Sequence, residues 1–282
     1  MKTIATDRAR LERNSSDVTS SYGVVESSNT VTNHNTESRG GVNTGFSDFY
    51  NRDGVVSKTH NISLRTHTLR VLEVLGELNS GVIELSNQLP EYSLKDQVTN
   101  NKYLTHGGAV FNQVVIRISE DGELEVDLTG QSKTQASSTS GLLGEITDYV
   151  VPEQWQGVTV TRDDVVVGHL RQAEITITRE LQSISPVNSE SRFPSFLVAT
   201  GLNIDYNLTY YTDTDDGISD VTEGGETRND FDLGLTLSNG DSLVLKARNS
   251  EATYDNVNDD EVRVVNVNGT AYDVDSITLG GS

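Results

Sequence analysis

The amino-acid sequence predicts an all-β fold, a sandwich or barrel with at most one or two short helices and an extended N-terminal arm. Three observations carry this. Two runs, Arg171 to Leu181 and Ser195 to Tyr211, alternate apolar and polar residues with the period of two that marks a half-buried strand. Short strand-like runs elsewhere are punctuated by Asp121-Gly122, Asn239-Gly240 and Asn268-Gly269, dipeptides that tolerate the positive φ angles of tight hairpin turns. The first 60 residues show little period of either kind and are rich in Ser, Thr, Asn and Gly.

Residues 1 to 60 are expected to form the arm, ordered only against a neighbouring subunit or else left as a tail, because so little apolar surface does not offset the cost of ordering the backbone. Residues 61 to 282 then make up the β domain, with 214 to 282 as acidic C-terminal strands. Within Ile62 to Leu78, Leu69, Leu72, Val74 and Leu75 are compatible with a helix, but β-branched residues and Gly76 favour strands. Gly81 to Leu85 continues the pattern and Leu89-Pro90 breaks it. Val114 to Ile118 and then Leu124, Val126 and Leu128 form a hairpin closed by Asp121-Gly122. Gly141 to Tyr149 reads as a short helix. Ala173, Ile175 and Ile177 face one way and Glu174, Thr176, Thr178 and Glu180 the other; Leu202, Ile204, Tyr206 and Leu208 repeat the pattern against Asn203, Asp205, Asn207 and Thr209. Phe231 to Leu237, Leu243 to Ala247, Glu261 to Val267 and Ala271 to Leu279 read as short strands, enough in number for a sandwich or barrel.

Composition narrows the function classes. The chain has 282 residues, no cysteine and a net charge of -21, so disulfide frameworks and thiolate metal sites are excluded. No apolar run approaches the roughly 20 residues that span a bilayer, and MKTIATDRARLERNSSD lacks the apolar middle of a secretory signal, so neither a membrane partner nor export by that route is expected. Acidic residues number 42 against 21 basic, only six of them Lys, with the excess concentrated after residue 200, where 17 acidic face 4 basic residues. Such acidity suits concentrated salt: at about 1 M the Debye length falls to roughly 3 Å and carboxylates scarcely repel across an interface. A halophilic host is the expectation, an ordinary acidic protein the alternative.

The segment RQAEITITRELQSISPVNSESRFPSFLVATGLNIDYNLTYYTD, with its loop Ser191-Arg192-Phe193-Pro194 between two alternating strands, resembles the tail tube proteins of long-tailed double-stranded DNA viruses. Tyr103 to Gln131, a small-residue stretch followed by a hairpin, is similar to the same family. The resemblance covers roughly residues 100 to 282 and is one of pattern and order; the long N-terminal stretch departs from it. It implies a sandwich of the tail tube type, a structural subunit of the virion tail made in the cytoplasm of a halophilic, archaeal host. It further implies homo-oligomeric hexameric rings stacked into a tube, other tail proteins at its two ends, and double-stranded DNA passing through without specific binding. One polar sheet face would then line the channel, with Glu123, Glu125, Asp127, Glu174, Thr176, Thr178 and Glu180 facing the lumen, where an acidic or hydroxyl lining repels phosphates that a basic one would hold. Without the resemblance, the same residues read as the solvated side of an ordinary sandwich.

Subunit contacts are expected at Trp155, whose ring suits either an interface anchor or a core corner, and at Arg192 and Phe193 in the loop Ser183 to Ser195. No enzyme is read here: Gly-x-Ser-x-Gly is missing, and Gly107-Gly108 lacks the rest of a phosphate loop. No cofactor and no metal site is expected either. Asp213, Asp215, Asp216 and Asp220 put their glycine at the fifth position instead of the sixth, which favours a solvated acidic loop over a calcium site. The histidines 34, 60, 67, 106 and 169 share no face by spacing beyond His60 and His67, and read mostly as surface or turn residues. The alternatives are another virion component, such as a baseplate ring or capsid protein, and a β-sandwich surface or adhesion protein.

Overall fold

A computed structural model describes residues 9–39, 50–86, 88–99, 102–138, 150–167, 170–184, 193–212, 230–256 and 263–280. Seventeen strands account for most of them. The first ten are β1 (Ala9–Arg13), β2 (Ser16–Asp17), β3 (Val24–Arg39), β4 (Tyr50–Arg65), β5 (Gly76–Asn79), β6 (Val82–Leu85), β7 (Tyr92–Thr99), β8 (Lys102–Ser119), β9 (Glu125–Gln131) and β10 (Thr134–Ser138). The rest are β11 (Val158–Arg162), β12 (Val165–Val166), β13 (Leu170–Ile184), β14 (Phe196–Thr212), β15 (Phe231–Leu237), β16 (Ser242–Asn256) and β17 (Arg263–Thr278). Among the described residues, helical structure is confined to one α-turn at Thr19–Tyr22 and 3-10 segments at Leu69–Leu75 and Trp155–Gly157. The fold is all-β, as the periodicity predicts.

Every pairing is antiparallel. A single path runs β3-β4-β9-β8-β13-β14-β17-β16-β15-β11-β12, and its two end strands each have one ladder partner among the described residues, so the sheet is open. Strand β8 links two pairing sets. Its first half lies between β7 and β10, and its second between β9 and β13. Gly108, at φ 60°, sits where the partners change, a conformation a side chain would disfavour.

One core serves the whole path. Val114, Ile116 and Ile118 join Val126 and Leu128, Ile175 and Ile177, Ile204 and Tyr206, and Leu233, Leu235, Leu243 and Leu245 in a single cluster. Each such fully buried aliphatic side chain contributes about 1.5–3 kcal/mol. The alternation read across Ala173 to Ile177 and Ile204 to Leu208 therefore picks out the core-facing side.

Three expectations need correction. Ile62 to Leu78, open between helix and strand with strand favoured, is not continuous strand: Leu69–Leu75, the helix-compatible stretch, is a 3-10 helix with Leu69, Leu72, Val74 and Leu75 wholly buried. Thr68 caps it by accepting from the Arg70 amide, and buried Asp241 accepts from the Thr68 hydroxyl, the Leu69 amide and the Gly280 amide. That long-range anchor, invisible locally, decides between helix and strand. Asn268-Gly269 is not a turn but lies inside β17, because the Tyr206 ring crosses it so closely that a Cβ at Gly269 would fall 2.0 Å from the tyrosine oxygen. Asn239-Gly240 and Asp121-Gly122 do form turns, closed by Gly240 N to Leu237 O at 3.0 Å and Gly122 N to Ser119 O at 2.8 Å.

The third concerns the N-terminal stretch. Its described part is strand, and β1 pairs with β7 through Ala9↔Asp96 to Glu12↔Ser93, burying Ala9 and Leu11. Tyr22 is buried beside Tyr92, their hydroxyls 2.8 Å apart, and burial raises the Tyr92 phenol to about 12. Only the outer part of the β3–β4 hairpin resembles an arm. Its ladder continues to Arg39↔Tyr50, whereas β9 supports β4 only from Thr59 onward. The expected helix at 141–149, Arg192, His169 and the acidic run 213–220 lie outside the described residues.

Candidate functional site

The residues expected to line a channel form a coherent surface. Across β9, β8 and β13 the registers Val115↔Asp127 and Val115↔Thr176, and Arg117↔Glu125 and Arg117↔Glu174, set these side chains side by side on the face opposite the core. Glu125, Asp127, Glu174, Thr176 and Thr178 all lie there. Glu123 sits just before β9, against Arg65 at 2.9 Å. Glu180 lies past an irregularity in the β13–β14 register and is exposed, beyond the part of β13 that β8 supports.

The charge of this face is lower than the acidic residues alone imply. Arg117 bridges Glu174, at 2.7 Å, and Asp127, joining β13 to β9 across β8. Arg65 does the same for Glu123 and Glu26, the latter at 2.5 Å. Both guanidiniums are partly exposed, so each pair is worth at most about 1 kcal/mol. Their larger effect is to hold the carboxylates in fixed places.

Toward β14 and β17 the same face becomes amide and hydroxyl. Thr209 Oγ1 donates to Asn266 Oδ1 at 2.8 Å, Asn207 donates to Asn268, and Gln113 Nε2 donates to Thr178 Oγ1 at 3.2 Å. Glu174, Thr176, Asp205, Asn207, Asn268 and Thr270 border one depression on this face. Side chains tied to each other across strands leave few free donors on this face. The sequence does not disclose the Asn207–Asn268 pair, because Asn268 falls in the dipeptide read as a turn.

Two hairpin extensions form a second set of features. Beyond Lys58, β4 has only β3 as a ladder partner, and from Glu180 outward β13 has only β14, through Ile184↔Phe196. One side of the second ribbon packs Leu181, Leu197 and Ala199 on Leu89 and Val110. The other exposes Ile184, Phe196 (55% exposed) and Val198. Phe193, half-buried, stands just before β14. Trp155, by contrast, packs against its own core and is only partly exposed.

The histidine expectation fails at two positions. His60 and His106 are wholly buried, on β4 and β8, with ring centroids 4.6 Å apart. Burial first, and then the adjacent His106 ring, push the His60 imidazole down to about 4. Asp96 on β7 stands 3.4 Å from His106. Burial opposes ionisation of that carboxyl, yet the His106 ring and the Ser28 and Thr30 hydroxyls hold it below the usual carboxylate range.

A family model for phage tail tube proteins matches residues 18–271. Comparison with individual curated proteins returns no match. The match begins in the N-terminal stretch and ends within β17, taking in the polar face and both ribbons. The chain thus belongs to the phage tail tube protein family, whose members are structural subunits of the viral tail.

Proposed function

We propose that six copies form a ring, that rings stack into a tube, and that the polar face of β9, β8, β13, β14 and β17 lines a channel through which double-stranded DNA passes without being gripped. The observation that carries this is the coincidence on one continuous face of Glu125, Asp127, Glu174, Thr176 and Thr178 with the Asn207–Asn268 and Thr209–Asn266 pairs. A channel for a phosphate-lined duplex needs a surface without free cations, since each Lys or Arg offered to phosphate releases counterions and adds affinity. Arg117 and Arg65, both engaged by two carboxylates, meet that requirement.

The ribbons supply the contacts between copies. An isolated two-stranded ribbon is marginal in water, and one exposing Phe196, Ile184 and Val198 gains most by covering them with another subunit. The β3–β4 ribbon takes the role expected of the N-terminal arm, and Phe193, just before β14, adds to the second ribbon's contact. The open edges at β3 and β12 are available for strand pairing between copies. Other tail proteins close the two ends of the tube.

The net charge of -21 fits assembly in a halophilic host, where salt screens repulsion between copies. Negative-stain microscopy of the purified protein tests both parts of the reading. In molar salt it is expected to show tubes of uniform bore with sixfold end views, shortening or dissociating on dilution into low salt. Dispersed monomers or flat sheets in molar salt would contradict it.

A further inference from the structure

The geometry points to a divalent transition-metal site, of the kind zinc occupies, built from His60, His106 and Asp96 at the root of the β3–β4 ribbon. This inference does not rest on the channel reading. The three residues come from different strands, β4, β8 and β7, and each offers one ligand atom, with all of these within 4.8 Å of one another. Two imidazoles and a carboxylate are the donor set that zinc and its neighbours prefer, and three protein ligands leave a fourth position for water.

The hydrogen-bond pattern supplies an independent reason. The Thr30 hydroxyl has one proton, and it donates to Asp96 Oδ2 at 3.1 Å. Its 2.9 Å contact with His60 Nδ1 must therefore be donated by the imidazole. That fixes the tautomer of His60 and leaves an unprotonated Nε2, which is fully buried and has no hydrogen-bond partner. Both ring nitrogens of His106 are likewise buried without a hydrogen-bond partner. A buried polar atom left unsatisfied is costly, and three in adjoining rings call for an explanation. A cation accepting one lone pair from each ring accounts for two of them.

Distances agree with that role. The His106 Nε2 to Asp96 Oδ2 separation is 3.4 Å. Two ligands on a tetrahedral cation at about 2.0–2.1 Å stand about 3.3 Å apart. Ser28 donates to Asp96 Oδ1 at 2.6 Å, so the carboxylate is held from outside, as is His60 by Thr30. Lys58, two residues before His60 and also buried, places an opposing charge nearby; its ammonium donates to Gln135. The cation would join β4, where its ribbon leaves the sheet, to β7 and β8, fixing the angle at which the ribbon projects.

The test uses the full chain, stripped with chelator and held in molar NaCl so that its surface carboxylates are screened. Calorimetric titration with Zn2+ is expected to give one equivalent per chain, a higher melting temperature and no comparable binding of Mg2+ or Ca2+. Asp96→Asn and His106→Gln should each weaken binding at least about tenfold. Zinc-edge X-ray absorption on the wild-type chain guards against a variant that simply fails to fold: two imidazoles and light-atom ligands near 2.0–2.1 Å are expected. Failure of Zn2+ to bind, an all-oxygen shell, or unchanged stoichiometry and affinity in the folded variants would overturn the site.

Discussion

Strands β13 and β14 pass through two environments along their length, and the contrast explains what the molecule is built to do. From Gln172 to Thr178, β13 is flanked by β8 on one side and β14 on the other, and Ala173, Ile175 and Ile177 are buried. From Glu180 to Ile184 the same hairpin continues past a register shift, but the flanking strand is gone and Ile184, Phe196 and Val198 are exposed. An apolar residue stabilises the subunit in the first region. In the second, Leu181, Leu197 and Ala199 still pack on Leu89 and Val110, and the apolar residues of the opposite side are left for something else to cover. The β3–β4 hairpin repeats the design, with its base on β9 and its outer ladder unsupported.

The sharpest way to break this comparison is to truncate one apolar side chain in each region. Ile177→Ala, at a fully buried position, should cost about 2–5 kcal/mol in chemical denaturation and reduce the yield of assembled protein through loss of fold. If it costs no more than a surface change, the base is not the load-carrying half. Asp241→Ala removes the acceptor shared by the Thr68 hydroxyl and the Leu69 and Gly280 amides, and should lower stability by about 2–3 kcal/mol. Asp241→Asn, which keeps one acceptor oxygen, should recover part of that loss.

The ribbon substitutions should behave in the opposite way. Phe196→Ser combined with Ile184→Ser is expected to leave the unfolding midpoint of the free subunit within about 0.5 kcal/mol of wild type while abolishing tubes in molar salt. Wild-type assembly by the double variant, or marked destabilisation of its free subunit, would place this ribbon with the core and not with the interface. The smallest effect is expected at Arg117→Ala, below about 1 kcal/mol in stability because the ion pairs are partly exposed.

The supported halves of β8, β9, β13 and β14 were legible in the sequence because one face of each meets the core and the other faces water, which imposes the period of two. The ribbons were not: in the second, Phe196-Leu197-Val198-Ala199 puts apolar residues on both sides, so the pattern does not mark where the lateral partner stops. The N-terminal strands were hidden for a different reason: Ala9 and Leu11 gain their burial from β7, more than 80 residues away, through the pairing Leu11↔Leu94. The same holds for His60 and His106. Their spacing of 46 residues carries no signal, and only the ladders β4–β9 and β9–β8 bring the two rings together. At Asn268-Gly269 a correct local preference lost to packing, because the Tyr206 ring needs the space above a glycine.

The central claim, that the polar face of β13 looks into a channel made by many copies, can be tested by chemical access. The chain contains no cysteine, so Thr176→Cys introduces a single reactive thiol on that face. In free subunits both a small maleimide and one carrying a long polyethylene glycol chain should react with it. In assembled tubes the small reagent should still react and the large one should be excluded. Equal reaction of both reagents in tubes would put the face on the outside and contradict the account.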